Sequence, residues 1–195
     1  MLGVIGNQTL SKCPSSWWTS PFKQGQVRHR LGWKEEVELI SYGDGQNHFW
    51  VTFDGLWFCM PRAIFDVVRF DDVVFSGFHC YDTNICMQVL KSGYQVLMTT
   101  WITIDHCSVG YLGKDFYHQR ELWYEKWKTF LPIWRGIDLS ENEVRIINSM
   151  AEELDVWTGK AADANDEVIR LKQTRAFKLG KALLKPFSKL RSCFR

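Results

Sequence analysis

Between Gln26 and Leu131 the apolar pattern changes period repeatedly, and this alternation limits the fold more than any other feature of the chain. Gln26–Leu31 and Val37–Tyr42 alternate apolar and polar residues, the pattern of half-buried strands. Gly43-Asp44-Gly45 follows as a turn signal. Phe49–Phe53 and Leu56–Met60 are dense in aromatic and β-branched residues and read as buried strands. Pro61 opens a short helical turn over Arg62–Val67. Thr83–Ser92 then carries Ile85, Cys86, Val89 and Leu90 on one helical face, closed by Gly93. Tyr94–Ile104 predicts a strand, and Tyr111–Leu131 an amphipathic helix that Pro132 ends. Strands alternating with helices over about a hundred residues predict an α/β (α+β) core, with a mixed sheet and flanking helices.

The two ends of the chain extend that pattern. Leu2–Ile5 reads as the end of a buried strand, which needs neighbours to be stable. Residues 11–24, with Pro14, Pro21 and Trp17-Trp18, read as loop. Ser140 and Glu143 form a capping box for a helix over Glu141–Trp157, which Gly159 is expected to end. A last helix is expected over 164–194, with Ala176, Leu179, Leu183, Phe187, Leu190 and Phe194 on one face and a kink at Pro186. The expected organisation is a domain over 1–136 and a helical extension over 137–195.

Composition excludes some classes. Hydrophobic residues at 46% and charged residues at 24% rule out a wholly disordered chain. The six cysteines show no pair at the two-residue spacing of a zinc knuckle or redox motif, and no apolar run approaches the length of a spanning helix. A reducing, cytoplasmic location is the expectation, peripheral at the membrane face through the tail. That tail holds seven basic residues and no acid in residues 175–195, while the first 174 residues carry 17 basic and 22 acidic ones. A basic amphipathic helix there suits an anionic membrane surface, with solvated packing on the domain as the alternative. No recognition motif for nucleic acid is present.

The chemistry concentrates in Phe53–Gly110. In order come Asp54-Gly55-Leu56, Pro61-Arg62, Phe70-Asp71-Asp72, Gly77-Phe78-His79-Cys80-Tyr81-Asp82-Thr83-Asn84, Lys91-Ser92-Gly93-Tyr94 and Asp105-His106. From the residues alone, Asp82 at a helix start fits an N-cap, and His106 at a strand end fits a hydrogen-bonded structural histidine. The segment also resembles the second, acceptor-side half of the family-2-type inverting glycosyltransferases of the GT-A fold. The branch related to a streptomycin-biosynthesis glycosyltransferase is the nearest in pattern. Gly3-Val4-Ile5-Gly6 and Trp17-Trp18 are similar to the segment after that family's metal-binding motif, so the resemblance spans residues 3–134.

The resemblance implies a nucleotide-sugar donor, a glycan or lipid-linked acceptor and a role in polysaccharide biosynthesis. It places Asp82 as the catalytic base, since an attacking hydroxyl must lose its proton. It places Trp17, Trp18, Asp54, Gly55, Tyr81 and Asn84 around the acceptor. It places His106 near a divalent metal, Mg or Mn, that neutralises the leaving diphosphate. Tyr81 stands where the family often has Glu, and Asn84 where it has a second Asp. No Asp-x-Asp motif or glycine-rich phosphate loop is found, so the nucleotide-binding half is expected to be missing and the chain to be inactive alone. The alternative is a non-catalytic binding module docked through the basic tail. Trp17, Trp18, Trp57, Phe78 and Trp101 are candidate sugar platforms, Trp17 and Trp18 foremost because they lie in a loop.

Overall fold

The structure, a computed structural model, describes residues 1–14, 16–30, 37–46, 48–107, 112–176 and 178–179. The chain divides into two compact units, Met1–Val156 and Trp157–Arg195.

The first ten residues thread three sheets in turn. They form β1 (Leu2–Gly3), β2 (Ile5–Asn7) and β3 (Thr9–Leu10). Then come β4 (Lys23–Arg30), β5 (Val37–Tyr42), β6 (Phe49–Trp50), β7 (Thr52–Phe53) and β8 (Phe58–Cys59). Helix α1 (Tyr81–Lys91) leads to β9 (Val96–Met98) and β10 (Asp105–His106). Helix α2 (Lys114–Trp127), β11 (Ile133–Trp134) and α3 (Glu141–Gln173) complete the chain. One sheet has the order β6-β9-β1-β8, a second β10-β4-β2-β7 with β5 added on β4, and a third pairs β11 with β3. β1 runs parallel to β9 and β4 parallel to β10; the other pairings are antiparallel. The mixed α/β architecture is the expected one, and it is consistent with an α+β GT-A-like fold.

The buried strand expected at Leu2–Ile5 finds its neighbours: β1 pairs Leu2 with both Cys59 and Leu97. Leu56–Met60 keeps only β8, half-buried at Phe58 and exposed at Cys59, and two further expected strands are shorter than their apolar patterns. Phe49–Phe53 divides into β6 and β7, which belong to different sheets. Tyr94–Ile104 contributes only β9 to one sheet before the chain crosses to β10 in another. The reason is the same in both cases: a strand that changes sheets keeps its apolar content but breaks its ladder.

Helix α1 is the centre of the core. Ile85, Cys86 and Val89 pack with Trp50, Val96 and Met98 of the first sheet and with Phe53 of the second. Met87, on another side of α1, joins Val51, Trp123, Trp127 and Leu131, which seats α2. Burying a side chain of this size stabilises by roughly 1.5–3 kcal/mol. Both clusters therefore hold the N-terminus of α1 in place, and the candidate base Asp82 sits in that first turn.

Helix α3 begins as expected. Ser140 N–H donates to Glu143 Oε2 (2.9 Å), and Glu143 N–H reaches back to Ser140 Oγ (3.4 Å). Its end differs. Gly159 does not stop the helix, which continues to Gln173. A glycine costs roughly 1 kcal/mol in a helix interior, less than the surrounding run of alanine, glutamate and lysine can sustain. Within the second unit, Trp157, Val168 and Leu171 are exposed, and Glu167 pairs with Arg170 at 2.7 Å. Arg175, Ala176, Lys178 and Leu179 are helical. The rest of the basic tail, including Lys181, Pro186 and Arg195, lies outside the described residues. Among the described residues no helix is long and apolar enough to cross a membrane.

Candidate active site

A cleft of about 620 Å³ opens where the loop before β4, the turn after β7 and the N-terminus of α1 meet the first turns of α2. Its floor is built by three consecutive hydrogen bonds. Gly55 N–H donates to Asp82 Oδ2 (2.8 Å), Thr83 N–H donates to Asp82 Oδ1 (2.8 Å), and the Tyr81 hydroxyl donates to the Gly55 carbonyl (3.3 Å). A Cβ at Gly55 would meet the Tyr81 hydroxyl, so glycine lets Tyr81 sit against this turn.

Asp82 is not the N-cap of α1. Cys80 holds that position, in the left-handed conformation at φ 63°, and Asp82 lies one step inside the first turn. One of its oxygens turns back to the β7 turn through Gly55 N–H, while the other accepts the Thr83 N–H of the helix's own first turn. Asp82 lies deep among protein atoms yet keeps part of its surface open to the cleft. Burial raises its pKa to about 6; the neighbouring Asp54 carboxylate adds to the rise, and the backbone N–H groups of Thr83, Gly55 and Asp82 itself oppose it. Asp54 is held separately. Trp17 Nε1–H donates to its Oδ2 (3.1 Å) and Leu56 N–H to its Oδ1 (3.0 Å).

The walls are aromatic. Trp17 meets Trp18 edge-on at 5.9 Å between ring centroids, and Trp18 stacks on Phe116 of α2 at 5.5 Å. His79 meets Phe116 edge-on at 5.3 Å. Phe78 stands at the mouth, 79% exposed. Arg120 and Trp123 line the α2 side.

Seven of the eight residues singled out from the sequence line this cleft: Trp17, Trp18, Asp54, Gly55, Tyr81, Asp82 and His106. They come from four separate segments of chain. Asn84 does not join them. It is 1% exposed, and its Oδ1 accepts from Trp127 Nε1–H at 3.1 Å, so it braces α1 against α2. His106 lies on β10 and stacks on His29 of β4 at 5.2 Å. A divalent cation needs several oxygen or nitrogen ligands. Among the described residues no group of three or more His, Cys, Asp or Glu side chains is placed to hold one. Among the candidate platforms, Trp57 packs in the small core around Val4, Ile5 and Val27, and Trp101 is exposed but outside the cleft.

Phe116, Arg120 and Trp123 were missed by the sequence reading. Their spacing of four and three places them on one face of α2, a signal that marks a shared face but not what it faces. Arg120 is 6% exposed. Its terminal nitrogens pair with Asp155 and approach Glu121 at 3.6 Å, so its charge is met within the protein.

A family model described as "Glycosyltransferase like family" matches residues 1–128. The chain belongs to that glycosyltransferase-like family. The matched span holds every residue of the cleft. Glycosyl transfer, with a nucleotide-sugar donor and an acceptor, is the activity the family carries. No curated protein and no solved structure is similar enough to match the chain.

Proposed function

We propose that this glycosyltransferase-like chain transfers a sugar with inversion to a hydroxyl acceptor, and that Asp82 is the base. The observation that carries the proposal is Asp82 itself, a carboxylate on the cleft floor with a pKa near 6. A base works best when its pKa lies near the working pH, where it is ionised yet still takes a proton readily. Each Asp82 oxygen accepts one backbone N–H and keeps a lone pair for the acceptor hydroxyl.

In the step, the acceptor O–H proton passes to an Asp82 oxygen. The hydroxyl oxygen forms a bond to the anomeric carbon on the face opposite the leaving group. The bond from that carbon to the diphosphate oxygen breaks, and its electron pair leaves with the nucleoside diphosphate. Proton transfer to a positioned group contributes on the order of 10²–10⁴-fold. A glycan or lipid-linked glycan acceptor follows from the resemblance, as does kinship with the streptomycin-biosynthesis branch. The resemblance also assigns a divalent metal to the departing diphosphate, and His106 is the one residue of this chain it nominates there.

The test is release of nucleoside diphosphate from a panel of nucleotide sugars, each offered with mixed glycoside acceptors. Activity that falls at least about 100-fold in Asp82→Asn, in a variant that remains folded, supports the assignment. Undiminished turnover in that variant overturns it.

A further inference from the structure

Helix α3 presents an exposed apolar stripe. Within the second unit the stripe is Trp157, Ala161, Ala164, Val168 and Leu171. Its steps alternate between four and three residues, the repeat of a seam between two helices. Trp157 is 65% exposed, Val168 45% and Leu171 49%, and both alanines are exposed as well. A helix of this kind draws most of its stability from packing an apolar face. Large apolar side chains exposed in a row mark a surface that a partner covers.

The charges beside the stripe identify the partner. Lys160 and Glu167 stand at the same position of successive repeats, on one border of the seam. The Lys160 ammonium lies 4.7 Å from the centre of the Trp157 ring, against the stripe itself. Glu167 accepts from Arg170 at 2.7 and 2.8 Å, one bond to each oxygen, and each oxygen keeps a lone pair for a second cation. Consider the stripe laid antiparallel on a second copy, with Ala161 against the partner's Ala164. Trp157 then meets the partner's Val168, and the small alanines between let the helices approach closely. The same register brings Lys160 alongside the partner's Glu167, and two-fold symmetry repeats the pair. A parallel arrangement is worse. It gains Glu167 beside the partner's Lys172 but sets Arg175, the next residue of the stripe, against its own copy. Residues 175–195 hold seven basic residues and no acid, so two such segments starting side by side repel.

We infer that α3 is a self-association helix. Two copies of this chain pair antiparallel through Trp157, Ala161, Ala164, Val168 and Leu171, with Lys160–Glu167 ion pairs between copies at the rim. The inference stands apart from the transfer reaction proposed above, since none of these residues lines the cleft.

Sedimentation equilibrium of the full chain at low ionic strength tests this. The native chain should show a reversible monomer–dimer equilibrium. Val168→Asp puts a charge into the seam and should leave a monomer. Lys160→Glu and Glu167→Lys each turn two attractions into two repulsions, and each should weaken dimerisation by about tenfold. The double variant Lys160→Glu/Glu167→Lys keeps the net charge and should recover the dimer. Its two positions are exposed, and it leaves the apolar stripe intact, so it tests the pairing even where Val168→Asp lowers helix content. A native chain that stays monomeric up to about 100 μM overturns the inference; that is the result expected where the chain's own basic tail or another protein covers the stripe. A dimer indifferent to Val168→Asp overturns it by assigning association to another surface. A double variant as weak as its single parents overturns it by removing the antiparallel pairing of Lys160 with Glu167.

Discussion

The amide of Gly55 donates a 2.8 Å hydrogen bond to Oδ2 of Asp82, joining the turn after β7 to the first turn of α1 across 27 residues of chain. This bond fixes the carboxylate at the cleft floor and holds down a pKa that burial pushes up. Asp82 is thus stabilised enough to ionise and buried enough to take a proton.

The pH dependence follows from that balance. The folded pKa of about 6 stands above the ordinary value of 3.8, so the folded chain holds this proton more tightly than the unfolded chain does. The contribution of Asp82 to stability is greatest below pH 4 and is lost as pH rises through 6. Asp82→Asn should remove that slope and raise the melting temperature at pH 7.5, by at most the equivalent of about 3 kcal/mol. Transfer in the native chain should show the opposite trend, rising through pH 6 as the base ionises. Melting temperatures of both proteins from pH 4 to 8 check the first point. A native profile flat across that range would remove the case for a buried, ionisable Asp82.

Gly55→Ala tests the geometry rather than the charge. The added methyl would occupy the place of the Tyr81 hydroxyl, so Tyr81 must move and the hydrogen bond to the Gly55 carbonyl must break. Overpacking of this kind costs typically 1–3 kcal/mol. Pairing the change with Tyr81→Phe, which removes the hydroxyl, should recover part of that loss. Additive destabilisation in the double variant would show that the clash lies elsewhere.

The helices and most strands were legible because local chemistry determines them, and most of the cleft because Phe53–Gly110 resembles a known family. The capping box at Ser140 and Glu143 forms as its spacing requires, and β5 runs from Val37 to Tyr42 as its alternation indicates. Sheet membership was not legible. Nothing local tells Trp50 from Thr52 as members of different sheets, since that depends on which partners the chain later brings alongside. The role of Asn84 was hidden for a similar reason. Its place two residues beyond Asp82 pointed to the site, but on a helix a two-residue step turns the side chain away, toward Trp127. Phe78 was visible as an aromatic but not as an exposed one, because exposure depends on the packing of α2 and the β7 turn around it.

Asn84 therefore predicts a stability effect without an acceptor effect. Replacing it by Ala leaves the Trp127 N–H buried without its acceptor, a loss of about 1–3 kcal/mol. Trp127→Phe removes the donor, and the double variant should lose less than the sum of the two single changes. Chemical denaturation of the four proteins yields the coupling. Strict additivity would mean that the 3.1 Å contact contributes nothing.

Arg120 tests whether the α2 wall of the cleft depends on α3. Its guanidinium is nearly sealed from solvent and pairs with Asp155, whose side chain is 22% exposed. Arg120→Ala removes this partner of the carboxylate, and the loss of a charged hydrogen bond costs about 1.5–3 kcal/mol. Arg120→Met, which fills the space without charge, should recover the packing share. Thermal unfolding separates the two variants, and equal melting temperatures would assign the whole effect to the lost charge.

Gly159 tests a feature of the second unit alone. The helix passes straight through it, and a Cβ there would meet no atom within 4 Å. Gly159→Ala adds no clash and reduces the freedom of the unfolded chain, so it should raise helix stability by roughly 0.8–1 kcal/mol. Gly159→Pro removes a backbone N–H inside the same helix and should cost about 3 kcal/mol or more. Far-ultraviolet circular dichroism on heating compares the three. If Pro is tolerated as well as Ala, the helix ends near residue 158, where the glycine in the sequence first suggested it would.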